Sequence, residues 1–306
     1  MFIPRVTLMR SRAKDRSTGV KLRMVLALVV VVVAAGCSSV RLGYNNADTL
    51  LYYTLDKYLD LNPAQEELAR DSIKGLLAWH RATQLDGYAQ LIHAAGRRVE
   101  GQIAPDDVLA LNLEMNRRLV AIGERAAPDL AALALTLQAS QLERAAKKFA
   151  DDDARARREV ADGDASVEHR VGRSIERADD WFGSVTRQQE ALIRAAIAQR
   201  PDSEDWWLRE REQRRSDLLK LLQRIHAEQP KVDEATQWLH EYFTYLTDPL
   251  DPERRARMNE YRRGNAELIA ALVNVASTQQ KAVLIKKLHG YSEDFAALAA
   301  DTNKRS

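Results

Sequence analysis

Two residue types in this chain could carry nucleophilic or metal chemistry. They are the single cysteine, Cys37, and six histidines: His80, His93, His169, His226, His240 and His289. A thiolate is a strong nucleophile, so Cys37 is the one sulfur able to form a thioether. A lone cysteine excludes a disulfide framework and any multi-cysteine zinc or iron–sulfur site. A helical zinc site would need two histidines at i and i+4 with a glutamate beside the first. His240-Glu241 opens that way, but Thr244 stands at the second position. A serine elbow would need a closing glycine, which Gly172-Arg173-Ser174-Ile175-Glu176 lacks. Two carboxylates could form a glycosidase-like pair, yet no spacing selects any two of the many available. The expectation is no enzyme, no cofactor and no metal site.

The surroundings of Cys37 say what its thiol does. Residues 1–23 carry seven basic side chains, from Arg5 to Arg23, against Asp15. An apolar run of 13 residues follows, Met24 to Gly36. About 20 residues are needed to span a bilayer, so the run is short for a transmembrane helix and suits a secretory signal. Met9 is a second possible start. Ala34-Ala35-Gly36-Cys37-Ser38-Ser39 resembles the bacterial lipobox, with Ala34 where that pattern has leucine. The resemblance implies cleavage between Gly36 and Cys37 and acylation of Cys37, palmitate being a typical chain. Several acyl chains anchor stably, at about 0.8 kcal/mol per buried methylene. By the sorting pattern of such lipoproteins, Ser38 after the cysteine implies the periplasmic face of the outer membrane. Removing residues 1–36 leaves 39 basic and 43 acidic side chains, a net charge of −4. The basic pI belongs to the signal, and nucleic acid is not an expected partner.

The elements that follow are helical. Gly 13 and Pro 8 together make about 7% of the chain, where roughly 12% is average. Few breakers mean long helices. Apolar stripes at three- and four-residue spacing recur, as in Leu68, Ala69, Ile73, Leu76 and Leu77. Helix starts are expected at Asn62-Pro63, Ala104-Pro105 and Ala127-Pro128. The fold expected is all-α: an antiparallel bundle or elongated array of about ten helices, as one body or two related halves. The division is a signal peptide (1–36), a lipidated tether (37–46), a first helical half (47–150), a charged hinge (151–164) and a second helical half (165–303).

Three helix starts share one pattern. Asn62 with Gln65, Thr186 with Gln189, and Ser277 with Gln280 each place glutamine three residues after a capping residue, with apolar residues at +6 and +11. A Ser, Thr or Asn cap with Gln at the third helical position is a capping box. Three well-capped helices with no partner is the plainer explanation. Leu61-Asn62-Pro63-Ala64-Gln65 and Val185-Thr186-Arg187-Gln188-Gln189 are also similar to the LTxxQ motif of small periplasmic chaperones and stress sensors. More broadly, Gly36 to Asp48, Leu76 to Arg81, and Asp180-Trp181-Phe182-Gly183 resemble segments of a Gram-negative lipoprotein family known only as a domain of unknown function. That resemblance implies a helical lipoprotein and no activity.

Trp79-His80-Arg81 and Trp206-Trp207 are candidate binding surfaces. His80 continues an apolar stripe, which also suits a buried, hydrogen-bonded histidine. Arginine-rich stretches at 209–215 and 254–263 are interleaved with glutamate and suit solvated helix faces. Contact with anionic envelope components through charge-assisted hydrogen bonds is the alternative. The leading functional expectation is a non-enzymatic envelope lipoprotein, held to the membrane by its N-terminal lipid, that binds a protein partner through helical surfaces. A chaperone or stress sensor of the LTxxQ type is second, and an envelope hydrolase third.

Overall fold

The computed structural model describes residues 39–160, 167–200 and 203–301. Among them are twelve α-helices and no strand. These are α1 (Ser39–Asn45), α2 (Ala47–Leu59), α3 (Pro63–Thr83), α4 (Leu85–Arg98), α5 (Pro105–Leu135), α6 (Ala139–Glu159), α7 (Val167–Phe182), α8 (Arg187–Ala198), α9 (Ser203–Glu228), α10 (Val232–Thr247), α11 (Pro252–Asn274) and α12 (Thr278–Ala300). The protein is an all-α array. Residues 46–306 form one compact unit, and α1 belongs to a separate unit ending at Asn45.

Local chemistry sets the breaks. Asn62, Thr186, Ser277 and Asp251 are extended and accept a hydrogen bond from the amide three residues on, which satisfies one orphan donor of each helix. Asp60, at φ 54°, closes α2 in the left-handed region, and Gly183, at φ 82°, follows α7.

The structure departs from the sequence expectation in two places. Ala127-Pro128 does not begin a helix: α5 runs through Pro128 without a break. Proline removes the donor that would bond the Glu124 carbonyl. The His240 Nε2 reaches that carbonyl instead, at 3.1 Å. The 151–164 stretch is not a linker over its first part, because α6 extends to Glu159. Its charges form a seam with α2 and α9. Tyr58 donates to Asp152 at 2.7 Å, Arg157 Nε donates to Glu212 at 2.6 Å, and Arg215 pairs with Asp153. Residues 161–164 of the expected hinge lie outside the described residues.

The helices form two interlocked repeats. In the first, α2 packs on α3 and α6, and α3 on α5. In the second, α7 packs on α8 and α12, and α8 on α11. Each repeat sends a helix across to the other: α4 lies on α12, and α9 lies on α6. The equivalent helices α5 and α11 pack on one another, and α10 is an addition lying on α5. The two repeats are thus interleaved within one unit. Their largest shared core gathers Val99 and Ile103 with Val171, Phe182, Ile193 and Leu284.

The α5–α10 contact depends on a glycine. A Cβ at Gly123 would stand 2.8 Å from the Cβ of Phe243, in a packed seam. Gly123→Ala should lower stability by about 1–3 kcal/mol through overpacking. Gly172→Ala, where a Cβ meets nothing within 4 Å, should instead raise it by roughly 0.5–1 kcal/mol through helix propensity. Urea midpoints of the two variants check the opposite signs.

Candidate functional site

The interlocking leaves a cleft of about 1520 Å³ between the repeats. Ligand pockets usually occupy roughly 300–1,000 Å³, so this one accommodates a large or elongated occupant. Its floor is aliphatic, with Leu268 and Leu272 from α11 and Leu284 and Leu288 from α12. One wall is α7, whose Arg170, Arg173 and Arg177 follow at i, i+3 and i+7 and so share a face. Ala94 and Arg98 of α4 and Leu111 of α5 also line it. Trp207 and Tyr261 close one end, their rings edge to face with centroids 5.0 Å apart.

Among the described residues, seven arginines and the carboxylates of Asp107, Glu204 and Glu210 line the cleft. Arg98 pairs with Asp107 at 2.9 Å, Arg173 with Glu204, and Arg214 with Glu210. Arg211 turns to Asp153 at 3.3 Å. Arg170 is 7% exposed and donates to the Arg200 carbonyl at 3.3 Å. Arg200 is held by neutral acceptors, the Ala196 carbonyl at 3.3 Å and Asn265 Oδ1 at 3.0 Å, with its guanidinium 5.6 Å from the Tyr261 ring centre. A Cβ at Gly264 would lie 2.9 Å from Arg200 Nη1, so this glycine gives the guanidinium its berth. Arg177 is exposed and meets no carboxylate among the described residues.

The residues singled out in the sequence are scattered. Trp207 lines the cleft, and Trp206 packs behind it with its ring 4.8 Å from Trp207 and 6.1 Å from Tyr261. Both indoles are half-buried, so neither stands out as a free anchor. Trp79-His80-Arg81 lies elsewhere. Arg81 donates to the Leu298 carbonyl at 3.3 Å, tying α3 to the end of α12. His80 stacks near Tyr88 at 5.6 Å, and burial holds its pKa below the ordinary value. This cluster braces the fold. Gly36 and Cys37 lie outside the described residues. Of the arginine-rich stretches, Arg211 and Arg214 reach the cleft, while Arg254 joins Arg214 on Glu210.

The glutamine boxes meet in pairs. Gln65 Oε1 accepts from the Asn62 amide at 3.1 Å, Gln189 Oε1 from Thr186 at 3.0 Å, and Gln280 Oε1 from Ser277 at 3.0 Å. Gln280 Nε2 then donates to Gln189 Oε1 at 2.8 Å, joining α12 to α8. Gln65 has the same relation to Gln141 of α6, which donates to Gln65 Oε1 at 2.8 Å and accepts from Gln65 Nε2 at 3.1 Å. Gln141 is absent from the sequence pattern because Gln138 stands at its cap, with Arg144 at +6. Its signature was nonetheless present. Leu137 precedes the cap, glutamine follows at +3, and Phe149 stands at +11. The arginine wall of α7 was also missed, since only the fold brings Arg170, Arg173 and Arg177 to one cleft with residues of α4 and α11.

A model of the family of unknown function DUF6279 matches residues 57–242. The chain belongs to this family. In this DUF6279 member the matched stretch runs from within α2 to within α10. It includes Gln65, Gln141, Gln189 and the arginine wall, and stops before the α11–α12 floor of the cleft. No curated protein and no solved structure matches the chain. Among the described residues no group of three or more metal-ligating side chains forms a site, and no helix is long and apolar enough to cross a membrane.

Proposed function

We propose that this DUF6279 protein is a non-catalytic binding protein of the cell envelope, tethered by lipid at Cys37 and holding an envelope partner in the cleft of its helical body. The tether reading rests on the basic, apolar and lipobox-like run that ends at Cys37. The binding reading rests on one observation: a large concave aliphatic surface edged by arginines, of which Arg177 and Arg200 meet no carboxylate among the described residues. Concave, mostly apolar surfaces are where proteins in general take small ligands, and guanidinium groups recognise anions through charge-assisted hydrogen bonds.

The test uses the full chain in cells. A photoreactive side chain placed at Ala110, an exposed cleft-lining position on α5, is expected to give a reproducible adduct on illumination. The same side chain at Arg117, 69% exposed on that helix and outside the cleft, is expected to give none. Mass spectrometry of the mature N-terminus is expected to find acyl chains on Cys37. No adduct at Ala110 would remove the binding reading, and a free Cys37 thiol would remove the tether.

A chaperone or stress-sensor role is favoured by the same concave floor. The LTxxQ-like glutamines do not serve it directly, because their amides are bonded within the body. A chaperone would suppress client aggregation at near-stoichiometric amounts.

A further inference from the structure

We infer that the outer face of α2 lies on the bilayer that holds the lipid of Cys37, its apolar side chains seated at the boundary between headgroups and acyl chains. This rests on the tether reading above and adds a second contact to the same membrane. Leu50, Tyr53, Thr54 and Lys57 follow at i, i+3, i+4 and i+7 and so share one face of the helix, with Leu51 at its edge. Leu50 is 59% exposed, Leu51 43% and Tyr53 63%. The opposite face is the one the fold uses. Tyr52 and Leu59 are buried there, Arg70 of α3 stands over the Tyr52 ring at 3.5 Å, and Leu59 packs with Leu142 and Ala145 of α6.

The place of this face in the chain selects its occupant. Leu50 follows Cys37 by 13 positions. With α1 and the first turn of α2 helical, at about 1.5 Å per residue, Leu50 can be no farther than roughly 30 Å from the anchoring residue. Of the twelve large apolar side chains exposed among the described residues, four fall between Leu42 and Tyr53, the stretch nearest the anchor in sequence. An exposed apolar patch marks a surface that meets something, and the nearest thing to this one is the membrane.

Size favours a membrane over a protein. A large aromatic side chain buries up to about 250 Å². At their exposures, Leu50, Leu51 and Tyr53 therefore supply less than about 500 Å², short of the roughly 800 Å² each partner gives a stable protein interface. A tethered face meets no such threshold, because the anchor already holds it beside the bilayer at high effective concentration. The chemistry suits an interface too. Tyr53 carries a hydroxyl on an apolar ring, as side chains at headgroup level do. Lys57, 3.8 Å from Asp152, can lay its stem on lipid and keep its ammonium in water. The acids of α2 lie off this face at 100° per residue. Asp48 accepts from the Thr49 amide at 2.7 Å, and Asp56 from the Leu61 amide at 2.9 Å.

The experiment reconstitutes the full acylated protein in vesicles of phosphatidylethanolamine and phosphatidylglycerol that contain a lipid spin-labelled on its acyl chain. Acylation takes Cys37, so Thr54→Cys supplies the one free thiol, within the face, for an environment-sensitive fluorophore. Its emission is expected to shift to the blue and to be quenched by the spin label. The same fluorophore at Arg117→Cys, 69% exposed on α5, is expected to stay unquenched. Leu50→Glu with Tyr53→Glu, both at exposed positions, should lower the quenching at position 54 by about fivefold, with circular dichroism showing the helices intact. If Cys37 carries its acyl chains and position 54 is quenched no better than position 117, the contact is overturned and the tether stands. A blue shift without quenching would also overturn it, and cross-linked dimers would then name a second copy of this chain as the occupant. Mass spectrometry finding a free Cys37 thiol would remove the tether and this contact together.

Discussion

Gln65→Leu should destabilise the helical body by about 3–4 kcal/mol, several times the roughly 1 kcal/mol of an ordinary helix cap. The side chain is 2% exposed. Its Nε2 donates to the Thr136 carbonyl at 2.9 Å and to Gln141 Oε1, while its Oε1 accepts from the Asn62 and Gln141 nitrogens. A leucine fills the volume and answers none of these groups. Each buried polar atom stranded costs about 1–3 kcal/mol, and members of one network lose more together than apart. Gln141 keeps its bonds to the Leu59 and Asp60 carbonyls, which limits the loss. Gln65→Leu and Gln141→Leu should therefore be non-additive by about 1–2 kcal/mol. Gln65→Leu and Gln189→Leu, which share no partner, should add to within about 0.5 kcal/mol. Denaturant unfolding of the single and double variants measures all of these. A loss below 1 kcal/mol for Gln65→Leu would mean the amide pair does not hold α3 to α6.

How far the sequence carried this fold depends on the range of each interaction. Asn62, Thr186 and Ser277 were legible as caps because a capping box closes within four residues. The pairing of Gln189 with Gln280 spans 91 residues, and no local pattern encodes it. Pro128 misled for a similar reason. Its local chemistry ends helices, yet α5 runs on through it, packed on α3, α10 and α11, contacts that no local pattern shows. The alternating charges from Asp151 read as a charged hinge, whereas Asp152, Asp153 and Arg157 find partners on α2 and α9. The cleft was the least legible feature. Its arginines lie on α4, α7 and α9 and on Arg200 just after α8, and its floor on α11 and α12. Only the interlocking of the two repeats turns separate amphipathic stripes into one surface.

One end of that surface is fixed by a buried charge, and its removal is the other large effect expected. Glu210 is 4% exposed. Its Oε1 accepts from Arg214 Nε at 2.6 Å and Arg254 Nη2 at 2.9 Å, and its Oε2 accepts from Arg254 Nε at 2.7 Å. The carboxylate thus joins α9 to α11 beside Trp207 and Tyr261. Glu210→Ala leaves two guanidinium groups facing each other with little to balance them, and a broken buried pair costs about 3–5 kcal/mol. Glu210→Gln keeps the shape and loses the charge, so it should cost less. Burial pushes the Glu210 pKa up, but the hydrogen bonds from Arg254 and Arg214 outweigh it and hold the group below its ordinary 4.5. A depressed folded pKa gives stability that is full above 4.5 and is lost as the pH falls through the folded value. Acid unfolding of the wild type should therefore steepen below that point, and Glu210→Gln should flatten that limb while leaving the difference at neutral pH. Because Asp217 lies 3.5 Å from Arg254, it takes up part of the exposed charge in Glu210→Ala. Adding Asp217→Asn to that variant should cost more than Asp217→Asn costs alone, by about 1 kcal/mol. Equal costs in the two backgrounds would show that Arg254 relies on Glu210 alone.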